Sequence, residues 1–576
     1  MLGKRSCQRG LFDADHLYID HVGRGSFYGF LAAHRDEIFH DEDFAALYST
    51  SNGRNSVPPS LLATALLLQT HDRASDQEAK ERADFDLRWK VALGIGVEDR
   101  PFAKSTLQTF RSQLILHDKM MEVFQKSLRF ARRIGYLKRR KIKLALDTSH
   151  IFGRGAVRDT YNLVADGIVK LLRVLASLRG SKAKAWAARE GLSRYFGSSI
   201  KGEADIDWDD PEQRKAFLSS IVADADRLLE TARQMVARYA EGSEERKRLK
   251  AAAELLSQLL LQDLERKPEG VTIKEGTSAD RVVSVHDPEM RHGHKSKSRR
   301  FEGHKAAVAV DAESQLITAA VVLPGNAYDS DQALELVKQT EENAGVEVEE
   351  TVGDCAYGDS ATRQAFSEAG RKLIARVPHR PNGTYFAKED FSIDLQAKTC
   401  RCPAGQECST LVPRGKLKDR TGRSYQRQVF EFDPDLCGAC PLRSSSTRAG
   451  PGKGRTISLH PQEALIQQAR EFQQSADYAP YRRLRQTAEH RLARLMQLRV
   501  RRARYLGRKK TLFQLLMAAT VANLTLAANK TGLMRAPSAA ASTLSFLLSC
   551  ARTAFQPLLQ VLSHLVPQRW AFRPCF

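Results

Sequence analysis

The chain contains no long uninterrupted apolar run and no apolar segment near its start. Its first ten residues, MLGKRSCQRG, lack the apolar core of a secretory signal peptide, so we expect none. The most apolar late stretch, residues 543–566, is interrupted by Arg552 and Pro557, and we expect it not to span a membrane. These absences predict a cytoplasmic protein with no membrane partner.

Acidic residues are the scarcer charged class, with 68 Asp and Glu against 90 Lys and Arg and a net charge of +22. The basic residues cluster in three runs, at 132–141, 292–300 and 481–510. Clustered positive charge attracts polyanions, and nucleic acid is the partner that we expect. A solvated basic surface is the alternative interpretation.

Cysteine is also scarce, yet five of the nine cysteines fall between residues 400 and 440. In a reducing compartment this clustering favours metal binding over disulfides. A structural zinc ion takes four ligands in a tetrahedron. The two cysteines of CGAC would supply two of these ligands. Two of the other three cysteines would complete the set, and which two stays open. The alternative is that all five are ordinary reduced cysteines. The candidates are Cys400, Cys402, Cys408, Cys437 and Cys440.

At 576 residues the chain is too long for one hydrophobic core, and residues 1–140 are predicted to form a helical domain. The tetrapeptides SDQE at 75–78 and STLQ at 105–108 both fit the capping box, in which two side chains bind the free donors of a helix start. Short capped helices that end in a basic run are typical of helix-turn-helix DNA readers.

The pattern then changes to strands. Residues 141–146, KIKLAL, alternate in polarity as a strand with one buried face, and Asp147 follows as its predicted end. Another short strand is predicted to end at Asp354, so that a carboxylate closes both strands. Between them, HKAAVAVD and LITAAVVLP predict an antiparallel pair that turns at 311–314. This order predicts an α/β fold with a mixed sheet, interrupted by a helical stretch at 168–267.

Residues 481–510 are predicted to form one long helix with an apolar stripe at steps of three and four. Almost everything else on it is cationic, and its one acid, Glu489, lies one turn after Arg485. The pair is either an exposed ion pair of little energetic weight or a catalytic carboxylate on a DNA-facing helix. The stripe consists of Leu484, Ala488, Leu492, Leu495 and Leu498.

Three carboxylates from distant parts of the chain are what phosphodiester cleavage by two metal ions requires. Two metals about 3.5–4 Å apart stabilise the attacking and leaving oxygens of an in-line displacement. Magnesium prefers hard oxygen ligands and keeps several waters, so three acids suffice. Asp147, Asp354 and Glu489 form such a set.

At this point the sequence resembles DDE-type transposases of bacterial insertion sequences, whose catalytic domain is ribonuclease-H-like. It is similar to the branch with a helical insertion after the first strand and a cysteine-rich insertion before the last acidic helix. The motifs that carry the resemblance, in chain order, are LALDTSHIFGRGAVRDTYNL, HDPEMRHG, FEGHKAAVAVD, PGNAYDS, GDCAYGDS, RQTAEHRLARL and RARYLGRKKTLFQ.

The resemblance implies that Asp147, Asp354 and Glu489 are the first, second and third catalytic acids, holding two Mg²⁺ or Mn²⁺ ions. It also implies DNA contacts from Arg482, Arg485, Lys305, Arg508 and Lys509. The usual signature of the last helix is only partly present. Arg482 stands at its tyrosine position with Tyr481 one residue early, Met496 stands at its lysine position, and SSST at 444–447 lacks the further cysteine of related zinc insertions.

The implied function is that of a transposase that binds the double-stranded ends of its own element. It would cleave them and join the 3′-hydroxyl ends to target DNA, acting as a homodimer on DNA, in the cytoplasm at the nucleoid, with one structural Zn²⁺. The alternatives are a non-catalytic DNA-binding regulator derived from a transposase and a nuclease of the same fold without strand transfer.

The same interpretation divides the chain into seven parts. They are a helical DNA-binding domain at 1–140, catalytic core at 141–167, a helical insertion at 168–270, core at 271–380, a cysteine-rich insertion at 381–460, core with the acidic helix at 461–530, and a tail at 531–576.

Overall fold

The computed structural model describes residues 1–5, 13–296, 298–379 and 381–531. The stretch at 543–566 that was weighed as a membrane span, and nearly all of the predicted tail, lie outside the described residues. The chain divides into two compact units. Among the described residues, the first holds those of 1–68, 75–108 and 524–531, and the second holds those of 69–74 and 109–523. The predicted division into seven parts stays a prediction.

Helices dominate the early part of the chain and recur between the strands. Among the described residues they are α1 Ala14–Val22, α2 Phe27–Ile38, α3 Pro59–His71, α4 Asp76–Phe85, α5 Leu87–Leu93, α6 Lys104–Leu116, α7 Met120–Arg133, α8 Thr160–Leu178, α9 Ala183–Arg189, α10 Pro211–Val236, α11 Glu244–Asp263, α12 Ala333–Ala344, α13 Ser360–Glu368, α14 Pro434–Gly438, α15 Arg443–Ser446, α16 Glu463–Gln474, α17 Ala479–Gln497 and α18 Arg508–Lys530.

The strands begin after α7. They are β1 Lys141–Phe152, β2 Leu264–Lys267, β3 Gly270–Ile273, β4 Arg291–His294, β5 Arg300–Asp311, β6 Ile317–Pro324, β7 Glu347–Val352, β8 Lys372–Ile374, β9 Ser392–Asp394, β10 Thr399–Arg401, β11 Glu407–Cys408, β12 Leu411–Lys418, β13 Ser424–Glu431 and β14 Thr456–Leu459.

The first unit is helical, as predicted, and one of its two predicted capping boxes is present. The Ser75 hydroxyl accepts from the Glu78 amide at 3.1 Å, and the Glu78 carboxylate accepts from the Ser75 amide at 2.6 Å. The other box is wrong, because α6 already begins at Lys104 and Ser105 lies inside it. The Gln108 side chain donates instead to Asp76 at 2.9 Å.

The main sheet of the second unit has the order β6–β5–β1–β7–β8, with β4 also paired to β5. β1 is antiparallel to β5 and parallel to β7, and β7 is parallel to β8. The antiparallel pair β5–β6 was predicted. A mixed sheet with flanking helices and a helical N-terminal region confirms the predicted ribonuclease-H-like α/β class.

The prediction that β1 ends at Asp147 is wrong, because the strand continues to Phe152. After Ala145, β1 no longer pairs with β7. Its pairing with β5 continues to Phe152, which lies opposite Gly303. Residues 147–150 are all half-buried, so the alternation of apolar and polar residues stops although the strand does not. Asp147 therefore lies inside β1, just beyond the end of its contact with β7.

The single long helix predicted over 481–510 is also wrong, because α17 ends at Gln497 and α18 begins only at Arg508. In between, the Phe152 amide donates to the Arg501 carbonyl at 2.9 Å and the Ala503 amide donates to the Phe152 carbonyl at 2.8 Å. This strand-like pairing uses backbone groups that a continuous helix would need. The further apolar helix predicted after this region is confirmed as α18.

By length and composition, α18 could cross a membrane, and it is the one helix in the described part of the chain for which this is true. However, 78% of its most apolar window is buried inside the protein. Such burial is typical of a core helix.

Candidate active site

Asp147 and Asp354 occupy matching positions relative to the end of the β1–β7 pairing, Asp147 inside β1 and Asp354 two residues beyond the last residue of β7. Ala145 pairs with Val352 at the end of the register, and each acid follows two residues later. Because side chains alternate along a strand, residues two apart share a face. The backbone of Asp354 is still extended (φ −77°, ψ −172°), so both carboxylates lie at one edge of the sheet.

Helix α17 carries Glu489 to the same edge, and Tyr481 fixes its start. The Tyr481 hydroxyl donates to Glu350 at 2.9 Å, and Lys143 binds Glu350 at 2.7 Å. α17 contacts β1, and the charge of Glu489 acts on Asp147, so the third acid lies near the first.

The electrostatics show that the acids are close together. Burial raises the pKa of Asp147 to about 7, and the charges of Asp354, Glu489 and Asp329 contribute to the rise. Burial also raises the pKa of Asp354, as does Asp329, while Arg485 lowers it. The site therefore holds negative charge that its surroundings do not fully compensate.

Glu489 is half-exposed and forms an ion pair with Arg485, one turn earlier on α17, at 3.0 Å. The charge of Arg485 also acts on Asp354, so this one cation influences both the second and the third acid. The surface ion pair considered from the sequence is thus present, and it borders the acidic site. The role of Glu489 itself stays a prediction.

Asp329 is an acid of this site that sequence reasoning missed. It lies in the segment between β6 and α12, and its charge acts on Asp147 and Asp354. Lys305 donates to its carboxylate at 2.7 Å and to the Ala327 carbonyl at 2.7 Å. The motif PGNAYDS was noted for its resemblance, but nothing in its pattern showed that its aspartate would lie beside the other acids.

The five residues predicted to contact DNA make contacts within the protein. Arg485 pairs with Glu489 and Lys305 with Asp329, as described above. Arg508 binds Glu289 at 3.2 Å, Lys509 binds Asp118 at 2.8 Å, and Arg482 lies over the Tyr478 ring at 5.8 Å. DNA contacts by these side chains stay predictions.

The five clustered cysteines come together in one apolar region. Cys400 and Cys408 face each other across β10 and β11 and are buried with Phe430. Cys402, Cys437 and Cys440 are half-exposed and line one cavity. Burial raises the pKa of Cys400 to about 12, which disfavours the thiolate that a metal binds. The structure therefore gives the predicted zinc ion no support.

Asp147, Asp354 and Glu489 supply carboxylate oxygens, the ligands that Mg²⁺ prefers. A divalent cation would favour the charged form of Asp147, which burial and the neighbouring acids disfavour. In this respect the residues fit the ions. Within the described ranges, however, no group of three or more His, Cys, Asp or Glu side chains is arranged to hold a metal. Glu489 would first have to leave Arg485.

Comparisons with known proteins find two transposase families in the chain. Residues 276–524 match the family described as Transposase DDE domain, a range that contains Asp354 and Glu489 but not Asp147. Residues 17–113 match a second family, Transposase domain (DUF772). None of the curated proteins matches the chain. With both transposase families present in one chain, this protein belongs to the DDE-type transposases of insertion sequences.

Proposed function

We propose that this transposase binds the double-stranded DNA ends of its own element, cleaves them and joins the freed 3′-hydroxyl ends to target DNA. The observation that carries the proposal is the convergence of Asp147, Asp354 and Glu489, far apart in the chain, at one edge of the sheet. Catalytic acids brought together from separate elements are what a hydrolysis centre needs.

Two Mg²⁺ or Mn²⁺ ions held by these three carboxylates would activate the attacking oxygen and stabilise the leaving one. The chain's own residues prepare the site. Asp147 sits in a half-buried position where its charged form is disfavoured, so it gains most from a cation. Arg485 pairs with Glu489 at 3.0 Å and partly offsets the rise that burial causes in the pKa of Asp354, so it supplies positive charge to both acids in the absence of a metal.

DNA recognition is proposed to come from the helical N-terminal region, which contains the match to the second transposase family. The basic run at 132–141 includes exposed Lys138, Arg139 and Arg140 and would contact phosphates. Such contacts add affinity that falls with salt but carry no sequence information. We propose that the protein acts as a homodimer on DNA and in the cytoplasm.

A supercoiled plasmid that carries the coding region with its own flanking DNA provides the test. Purified protein with Mg²⁺ or Mn²⁺ should cut at the two borders of the element and join the 3′ ends to a second plasmid. Border-specific binding without cutting would leave a DNA-binding regulator, and cutting without joining would leave a nuclease. Both outcomes contradict the proposal.

A further inference from the structure

A β-hairpin of the cysteine-rich region reaches the acidic site. β12 and β13 form this hairpin, and its tip is residues 419–423. The Asp419 carboxylate orders the tip by accepting from the Thr421 amide at 2.9 Å and the Arg423 amide at 3.0 Å. Arg420 therefore projects from a turn whose backbone is already fixed.

The Arg420 guanidinium is largely buried, with 19% of the side chain exposed, and its donors are used on two segments of the catalytic core. It donates to Asp359 at 3.0 Å and to the Thr362 hydroxyl at 2.8 Å. It also donates to the Ser330 hydroxyl at 3.0 Å and to Asp331. Its flat face lies 5.2 Å from the ring centre of Tyr328.

The first of these segments, 328–331, contains Asp329. Arg420 contacts the residues on both sides of this acid, Tyr328 and Ser330, and also Asp331. Asp329 itself is held from the other side by Lys305 at 2.7 Å. The position of Asp329 is thus determined by two cations, one on a strand of the core and one on the hairpin.

The second segment, 354–359, begins with Asp354 and ends with Asp359. It is tightly packed, because a Cβ atom on Gly358 would lie 1.8 Å from the Arg376 carbonyl oxygen. Asp359 also caps α13 by accepting from the Thr362 amide at 3.0 Å. A rigid segment transmits a displacement of one end to the other, so what holds Asp359 also limits the movement of Asp354.

We propose that Arg420 is a positioning residue that clamps the segment bearing Asp329 to the segment bearing Asp354, so that the hairpin tip sets the spacing of the acidic site. Without the guanidinium, the bond that the Ser330 hydroxyl donates to Asp359 at 3.1 Å would still join the two segments, but it is one hydrogen bond in place of several. The inference rests on the proposed cleavage reaction, whose acids it arranges.

The test compares Arg420→Gln and Arg420→Lys in the full chain. Each variant is assayed for nicking of the supercoiled plasmid described above, as a function of Mn²⁺ concentration. A misplacement of about 1 Å at a reacting centre can cost on the order of 100-fold. We expect Arg420→Gln to nick about 10–100-fold more slowly and to need several-fold more Mn²⁺, with plasmid affinity unchanged. Arg420→Lys should fall in between, because it keeps the charge and loses the fork.

Arg423→Gln is the matched control. Arg423 lies on the same tip, but its side chain is 65% exposed and, among the described residues, pairs only with Glu368, at 3.4 Å. It should nick like the wild type. If Arg420→Gln does not fold, as judged by circular dichroism, Arg420→Lys and Asp331→Asn decide by the same criteria. Folded variants with wild-type rates and wild-type Mn²⁺ dependence overturn the clamp, even if they melt at lower temperature.

A direct measurement separates this proposal from the proposed function. Mn²⁺ binding to the free protein, followed by electron paramagnetic resonance, should weaken in Arg420→Gln and not in Arg423→Gln. A wild type that binds Mn²⁺ but never nicks would reject the cleavage reaction, and the binding comparison would still decide the clamp. Equal Mn²⁺ affinity in wild type and Arg420→Gln rejects the clamp.

Discussion

Arg485 binds Glu489 at 3.0 Å and also partly offsets the rise that burial causes in the pKa of Asp354, so one arginine acts on two of the three acids. In the metal-free protein the Arg485 guanidinium supplies the positive charge that a metal ion would otherwise bring to these acids. Metal binding would therefore exchange a guanidinium for a divalent cation at Glu489, and the pair marks the point where α17 meets the catalytic sheet.

Glu489→Gln should bind DNA and fold normally, yet fail to nick the plasmid in Mg²⁺ or Mn²⁺. The change preserves size and helix propensity and removes the charge that would hold a metal, and losses of such stabilisation are on the order of 100–1000-fold. The measurement is the single-turnover nicking rate.

Glu230→Gln is the control for this change. Glu230 lies on α10, is 51% exposed against 47% for Glu489, and also pairs with an arginine of its own helix, Arg233, at 2.6 Å. It should nick at the wild-type rate. Glu489→Gln with nearly unchanged nicking would show that the third acid lies elsewhere.

Asp147→Asn should stabilise the metal-free protein increasingly as the pH rises. Burial and neighbouring acids raise the pKa of Asp147 to about 7, so the folded state keeps a proton that the unfolded state releases near pH 4. Wild-type stability therefore falls between about pH 4 and 7 and then levels off. The advantage of the variant should grow by on the order of 1–3 kcal/mol from pH 5 to 8 in urea unfolding with EDTA.

Asp210→Asn provides the comparison, since Asp210 is an exposed cap of α10 and asparagine caps equally well. Its effect should not grow with pH in this way. A difference between Asp147→Asn and wild type that is the same at pH 5 and 8 would put the pKa of Asp147 in its ordinary range.

Tyr481→Phe should slow nicking more than it weakens DNA binding. The Tyr481 hydroxyl donates to the Glu350 carboxylate. Burial raises the pKa of Glu350, but hydrogen bonds from Lys143, Lys372 and Tyr481 outweigh it and lower that pKa to about 2. Removing one such bond costs about 1–3 kcal/mol and loosens the start of α17. Thermal melting and nicking rates measure the two effects.

Tyr425→Phe is the control, because the Tyr425 hydroxyl makes no hydrogen bond in the described part of the chain. Equal behaviour of both variants would argue against an anchoring role for the Tyr481 hydroxyl.

Cys400→Ser should destabilise the protein by about 1–3 kcal/mol, because a hydroxyl would replace a thiol in an apolar core. Cys440→Ser, at a half-exposed position, should have a smaller effect. Denaturant unfolding with and without a zinc chelator distinguishes the interpretations. If the chelator alone destabilises the wild type as much as Cys400→Ser does, a zinc ion holds this region after all.

Local chemistry made several elements predictable. The Ser75–Glu78 capping box and the β5–β6 pair depend on neighbouring residues, and the structure contains both. The break after α17 depends instead on Phe152, more than 300 residues earlier, whose backbone pairs with the chain at 501–503. No pattern within an arginine-rich stretch can show a hydrogen-bond partner so far away.

At the acidic site, too, the residues next to a regular element could be predicted from the sequence and the others could not. Asp147 and Asp354 could be proposed because each follows a readable strand, although β1 in fact continues beyond Asp147. Asp329 lies in an irregular segment, where periodicity gives no information, and Arg420 lies on a hairpin remote in sequence from the core. Their proximity to the site is a property of the folded chain alone.

Because the Tyr481 hydroxyl holds the start of α17 against Glu350, the number of residues between Tyr481 and Glu489 determines where the Glu489 carboxylate lies. Eight residues separate Tyr481 from Glu489. Inserting one residue between them would turn the carboxylate by about 100° around the helix axis and move it by about 1.5 Å. Inserting a full turn of about 5.4 Å would restore its direction but carry it past Asp147. Engineered variants should therefore tolerate substitutions at exposed positions between these two residues, such as Gln486, but no change in the number of residues.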